Sequence, residues 1–216
     1  MRIIFLGPPG AGKGTQAQNI CKEYGIRQIS SGDLLRACIE SGTEIGLEAR
    51  EIMKRGELVP DTMIIDMMRQ EMRKPVYNKG FLLDGFPRTI PQAEALDGML
   101  IESNNKLNCV LVLEIPHEVI IERLSLRRTD RKTGRSFHMI YNPPPADGDW
   151  DLFQREDDLE DTVRNRLKIY ENMTKPLVKY YSSMGLAQKV DGMGSLDEVY
   201  KKISKVLDSC NKSFLL

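Results

Sequence analysis

An α/β fold, with a parallel sheet flanked by helices, is predicted by three features of this 216-residue chain. Short apolar runs recur at residues 3–6, 80–84 and 110–115, as strands buried on both faces do. Helical patterns fill the intervals, which is the alternation of a doubly wound sheet. A glycine-rich turn follows the first run, at the strand end where such folds bind ligands.

That turn reads Gly7-Pro8-Pro9-Gly10-Ala11-Gly12-Lys13-Gly14-Thr15 and fits the spacing G-x-x-x-x-G-K, with the hydroxyl one place late at Thr15. Glycines permit the curvature that turns successive N–H groups inward around phosphate oxygens. A helix starting at Lys13 adds its partial positive charge, and Lys13 adds a full one. A plain strand-to-helix turn is the competing reading. The flanking pattern favours a P-loop that binds a nucleoside triphosphate.

The first helix is expected over 13–24 and a weaker strand over 27–29. Helices at 33–41 and 45–55 follow without a strong strand, so residues 30–59 read as an inserted helical lobe. A helix at 61–73 leads to the strand Phe81-Leu82-Leu83 and Asp84. A carboxylate at such a strand end is placed to reach Mg²⁺ through water, although alone it would read as a cap or turn residue. Gly85-Phe86-Pro87-Arg88 then offers a guanidinium at the same sheet edge. Helices are expected at 90–100 and 118–126. Arg123 and Arg127, four apart, share a helix face and cannot be there for mutual attraction.

Residues 128–154 lack helical periodicity and include Asn142-Pro143-Pro144-Pro145. Thr133-Gly134 suits a hairpin turn, and 136–141 alternates like an edge strand. A long insert of this kind is read as a folded lid. His138 is expected to be a hydrogen-bonding residue of that lid. A long helix is expected from about Asp157 to Tyr181, with Asp157, Asp158, Glu160 and Asp161 at its positive end and an interruption by Pro176 near Lys175. Arg155, Arg164 and Arg166 lie around its start. A weak strand is expected at 187–190. Five arginines flanking the insert suit phosphoryl transfer, in which charge must be neutralised and little covalent chemistry is left to the protein.

Thirty-one basic residues balance thirty-one acidic ones, which argues against a nucleic-acid partner. Cys21, Cys38, Cys109 and Cys210 show no C-x-x-C pair and read as thiols of a reducing compartment. The sequence has no apolar run long enough to span a membrane, and the early first strand leaves no room for a signal peptide. A cytoplasmic monomer is expected.

Taken together, these residues resemble the adenylate kinases. The matching segments are 7–15, Ser30-Ser31-Gly32-Asp33-Leu34-Leu35-Arg36, Gly80 to Thr89 with Gln92, Arg123 with Arg127, and Arg155, Asp157-Asp158 and Thr162-Val163-Arg164-Asn165-Arg166. The resemblance implies a P-loop core (1–29, 60–125 and 159–216), a monophosphate-binding lobe (30–59) and a lid (126–158), with the reaction Mg·ATP + AMP ⇌ 2 ADP. It assigns ATP to Gly10, Ala11, Gly12, Lys13, Gly14, Thr15 and Arg127, with Ser136 and Phe137 near the base, and adds Gly194. It assigns AMP to Ser31, Arg36, Glu57, Leu58, Val59, Gly85, Phe86, Pro87, Arg88, Gln92, Arg155 and Arg166. Lys13, Arg88, Arg123, Arg155 and Arg166 would grip the phosphates in flight, and Asp84 would hold Mg²⁺ through water.

Three departures stand out. Ser31 replaces a threonine common in the family. The segment 142–155 is shorter than in the usual long lid, with Ala146-Asp147-Gly148-Asp149-Trp150-Asp151 where a second bracing turn is expected. The lid has no cysteine, so no zinc is expected there. The nearest alternative is a GTP:AMP phosphotransferase, with a UMP/CMP kinase further off. A signalling GTPase would need Asn-Lys-x-Asp, where Asn105-Lys106-Leu107-Asn108 ends in Asn. An inactive nucleotide-sensing module would not need the retained Lys13, Asp84 and Arg88.

Overall fold

The computed structural model describes residues 1–212. Strands β1 (Arg2–Leu6), β2 (Arg27–Ser30), β3 (Phe81–Asp84), β4 (Cys109–Glu114) and β8 (Ala187–Asp191) form one parallel sheet in the order 2-3-1-4-8. The chain is therefore α/β with a parallel sheet between helices. Strands β5 (Arg127–Asp130), β6 (Ser136–His138) and β7 (Leu152–Phe153) form a second, antiparallel sheet in the order 6-5-7.

Alternate residues of the large sheet serve two apolar layers, as the two-residue period of a strand requires. Ile3, Phe5, Leu82, Leu111 and Leu113 face α1 (Lys13–Tyr24), α6 (His117–Ser125), α7 (Glu160–Ile169) and α9 (Leu196–Lys212). Ile4, Leu6, Leu83, Val110 and Val112 face α4 (Asp61–Met72), α5 (Ile90–Glu102) and α8 (Pro176–Ser183). Residues 30–59 form α2 (Ser31–Glu40) and α3 (Glu44–Lys54), which pack on each other. The register sets Phe5 beside Asp84 and Ser30 beside Asp84, so the strand ends that carry the motifs share one edge.

Several local expectations change. Helix α6 ends at Ser125, so Arg127 opens strand β5 and does not share a helix face with Arg123. Helix α2 starts at Ser31 rather than Asp33, because the Ser30 side chain caps it by accepting from the Asp33 amide at 3.2 Å. Helix α7 starts at Glu160 rather than Asp157: Glu156–Asp158 is a 3-10 turn and Leu159 is extended. Only Glu160 and Asp161 then sit in its first turn. Instead of a kink at Lys175, Tyr170–Thr174 forms a π turn closed by Lys175 N to Tyr170 O at 2.8 Å. The wider turn lets Pro176, which has no N–H, open α8 without colliding with the preceding carbonyls. Strand β6 ends at His138, three residues before the expected limit, where its Nδ1 accepts from the amides of Ile140 and Tyr141.

The segment 146–151 keeps a turn, with the Gly148 N–H donating to the Pro145 carbonyl at 3.3 Å, and braces the small sheet by further contacts. Asp130, which is fully buried, accepts from the amide and hydroxyl of Thr133 and from the amide of Asp151. Trp150 meets the buried Phe137 edge-on at 4.8 Å, and its Nε1 donates to the Pro145 carbonyl. The segment 146–151 thus closes the sheet through one carboxylate and one indole.

Candidate functional site

A cleft of about 1020 Å³ runs along the carboxyl edge of the large sheet, between α2–α3 on one side and the small sheet on the other. Its floor is the loop after β1. Gly10 adopts φ +74°, and a Cβ there would stand 2.7 Å from Leu124 Cγ, so glycine is required both for the turn and for contact with α6. Gly12, also left-handed, precedes α1 and gives it no side-chain cap. The first amides of that helix face the cleft as a ready anion site.

Lys13 lies half-buried at this helix start, its ammonium donating to the carbonyls of Gly7 (2.7 Å) and Pro8 (2.8 Å). Burial pulls it down to about 8; Asp84 opposes that shift, and Arg88, Arg166 and Arg127 add to it. Asp84 accepts from Gln28 Nε2 at 3.1 Å, and burial pushes its carboxyl up despite Lys13 and Arg88. A Cβ on Gly14 would stand 3.9 Å from Asp84 Oδ2, so the carboxylate abuts the loop.

The magnesium expectation can be tested on this donor set. Among the described residues no group of three or more His, Cys, Asp or Glu is placed to hold a metal. One carboxylate at the phosphate loop, with the Thr15 hydroxyl lining the same cleft, suits Mg²⁺, which is commonly held by one or two protein oxygens, phosphates and water. The residues fit the ion.

Gly85 turns the chain after β3 with φ +79°, where a Cβ would stand 2.7 Å from Ser31 Oγ. Ser31 Oγ and Arg88 Nε both donate to the Gly85 carbonyl, at 2.7 and 2.8 Å. Burial, then Arg166, lowers Arg88 to about 10; burial, then Arg36 and Arg127, lowers Arg155 to about 10. Burial is the larger cause of both shifts, and the neighbouring guanidinium charges add to it. Part of the charge is met by Asp157 and Asp158. Arg127 forks onto the fully buried Asp158, with Nε at 2.7 Å from Oδ2, and Arg166 pairs with Asp157 at 2.8 Å. Arg155 donates to Thr129 and Ser136 of the small sheet, and Arg36 pairs with Asp33.

The cleft is lined by Gly10, Ala11, Gly12, Lys13, Gly14, Thr15, Arg123, Arg127, Ser136, Phe137 and Gly194 from the expected ATP and transfer groups. It is lined by Ser31, Arg36, Glu57, Leu58, Val59, Gly85, Pro87, Arg88, Gln92, Arg155 and Arg166 from the expected AMP group. Phe86 is not brought there: its side chain is 1% exposed and packs in the apolar layer with Leu83 and Leu96. Arg164 also stays outside, paired with Glu160 on the exposed face of α7. Sequence reasoning missed the anchoring roles of Asp157 and Asp158, which read as helix-start acids, and of Asp61 and Thr174. The Thr174 hydroxyl donates to the Arg88 carbonyl at 2.9 Å, and only the π turn brings it there.

The adenylate kinase family model matches residues 5–186. The chain is similar to the adenylate kinase of Syntrophobacter fumaroxidans, 48% identical over 96% of this chain and all of that protein. It is 49% identical to that of Carboxydothermus hydrogenoformans and 47% to that of Archaeoglobus fulgidus, over 96% of this chain and 99% and 98% of theirs.

Proposed function

The chain belongs to the adenylate kinase family, and we propose that its cleft transfers the terminal phosphoryl group of ATP to AMP, giving two ADP. The observation that carries this reading is the gathering of two anion grips in one cavity. One is the uncapped start of α1 with Lys13, and the other is Arg36 with Arg88 at the end of β3. Arg166 lies close enough to both for their charges to interact, while Arg127 does so with Lys13 and Arg155 with Arg36.

The bond from the γ-phosphorus to the bridging oxygen of ATP breaks, and a bond to a phosphate oxygen of AMP forms. That acceptor oxygen is already anionic, so no general base is needed. What the protein must supply is alignment and neutralisation of charge. On this reading the α1 amides and Lys13 hold the donor phosphates, and Arg88 and Arg36 hold the acceptor phosphate. Arg123, Arg155 and Arg166 stabilise the group in transit. Mg²⁺, when bound, neutralises charge on the donor phosphates, and Asp84 would hold it through water, with the Thr15 hydroxyl near. Residues 30–59 and 126–158 would act as lobes that close on AMP and ATP and exclude water, which would otherwise take the phosphoryl group.

The shared name of the relatives weighs for ATP over GTP as donor. The test is ADP formation measured with each nucleotide pair. ATP with AMP should exceed GTP with AMP, and ATP with CMP or UMP, by at least about tenfold in kcat/KM. Equal turnover with GTP would overturn the choice of donor, and inactivity with every pair would overturn the enzymatic reading.

A further inference from the structure

Gln92 is 2% exposed, yet it lines the cleft. The two ends of its amide have chemically distinct partners. The Arg88 backbone N–H donates to one end at 2.8 Å, so that end is the oxygen. The other end stands 2.7 Å from Asp61 Oδ1, a pure acceptor, so it is the nitrogen. A glutamine amide otherwise reverses at little steric cost, because its oxygen and nitrogen ends are nearly the same size and shape. Reversal here would set N–H against N–H and oxygen against carboxylate, and would lose both bonds.

Asp61 is itself held. It opens α4 directly after Pro60, and the buried Thr89 hydroxyl lies 3.0 Å from each of its oxygens. Thr89 in turn caps α5 by accepting from the backbone N–H of Gln92 at 3.3 Å. The lock therefore ties the end of the 30–59 segment to the helix that carries Gln92.

We propose that Asp61 is a positioning residue that sets purine selectivity on the acceptor side, by locking the Gln92 amide in one orientation. The proposal rests on the reading that this side of the cleft holds AMP. The same wall of the cleft carries Leu35, Met53, Val59 and Ile64, apolar side chains suited to a flat base. After Asp61 and Arg88 have each taken one bond, Gln92 keeps one N–H and one oxygen lone pair for a ligand. Adenine offers an amino donor beside the N1 acceptor. Hypoxanthine offers a carbonyl acceptor beside an N1–H donor, the reverse pattern. A free amide would turn to suit either base, whereas a locked one suits adenine and meets hypoxanthine with like against like.

The experiment compares AMP and IMP as acceptors, with ATP as donor, in the wild type, Asp61→Ala and Asp61→Asn. The wild type should prefer AMP. Asp61→Ala should lower the AMP:IMP ratio of kcat/KM by about tenfold or more, mainly through the acceptor KM, with the KM for ATP within about twofold. Asp61→Asn keeps one neutral acceptor and should lower the ratio by about threefold, since hydrogen bonds to charged groups are the stronger ones. Melting temperatures identify a variant that does not fold under assay conditions, and if the alanine variant fails, the asparagine variant decides by the same ratio. An unchanged ratio, or equal losses with AMP and IMP, would overturn the lock and leave Asp61 a structural residue. A wild type inactive with AMP would instead overturn the function proposed above.

Discussion

In the large sheet, Ile3, Ile4, Leu82, Leu83, Val110 and Leu111 have no exposure, and each side of the sheet is sealed by apolar helix faces. In the small sheet, Phe137 is the one fully buried apolar side chain among the described residues of 127–153. The rest of that sheet is held by Asp130, by Arg135 over Phe137 at 5.0 Å and by Arg131 over Phe153 at 4.2 Å. Area burial is cooperative and non-directional, whereas a few hydrogen bonds and cation–π contacts each contribute little. The large sheet is thus suited to hold a site rigid, and the small one to open without unfolding its neighbour.

Among the cations of the cleft, Lys13 beside the large sheet and Arg127 in the small one are restrained differently. Lys13 is held by backbone carbonyls of its own loop, and Arg127 by a buried carboxylate. The largest expected effect falls on the first. Lys13→Met should lower kcat by at least about 10²–10³, the usual cost of removing one preorganised electrostatic contact, with the melting temperature nearly unchanged. The thermal part follows because the two carbonyl bonds lost with the ammonium are offset by the desolvation of Lys13 that its removal relieves. Near-normal turnover, or an unfolded variant, would break the idea that the rigid sheet supplies the main phosphate grip.

A smaller effect separates the sheets by stability. Leu82→Ala removes a fully buried side chain of the large sheet and should lower global stability by about 2–5 kcal/mol in urea unfolding. Asp130→Ala should leave that global transition in place while amide exchange across 127–153 speeds by about tenfold or more. Equal loss of global stability in both variants would mean that the two sheets unfold as one unit.

The large sheet was legible because its strands are continuous apolar runs joined by periodic helices, and both signals are local. Residues 196–212 carry no motif of the site, although they form α9, whose Val199, Ile203 and Leu207 recur on one buried face. The phosphate loop was legible because its glycines and Lys13 lie in one short stretch. Phe86 shows the limit of motif reading: it belongs to a site segment, but its side chain serves the core. Asp157 and Asp158 were read by their place at a helix start, while their actual partners, Arg166 and Arg127, lie 9 and 31 residues away. Asp61 and Thr174 act across 31 and 86 residues, through bonds that no spacing announces.

The smallest expected effect is a proton, and it again distinguishes the two cations. Burial holds Lys13 at about 8 in place of the usual 10.5. Between those values the unfolded chain binds more protons at this group than the folded one, so its contribution to stability rises with pH across that window. Phosphate brought to Lys13 adds negative charge beside the ammonium and raises its pKa again. ATP binding should therefore take up a proton, scarcely at pH 7 and increasingly toward pH 9, while affinity falls by less than about tenfold per pH unit. Arg127 behaves otherwise: burial would lower it, but the Asp158 carboxylate overcomes that and raises it, so it stays charged throughout. Calorimetry in two buffers of different ionisation enthalpy measures the uptake directly. It should vanish in Lys13→Met and persist in Arg127→Ala, even though the second variant binds ATP more weakly. Uptake that survives in Lys13→Met would move the titrating group elsewhere in the cleft and remove the contrast between the two cations.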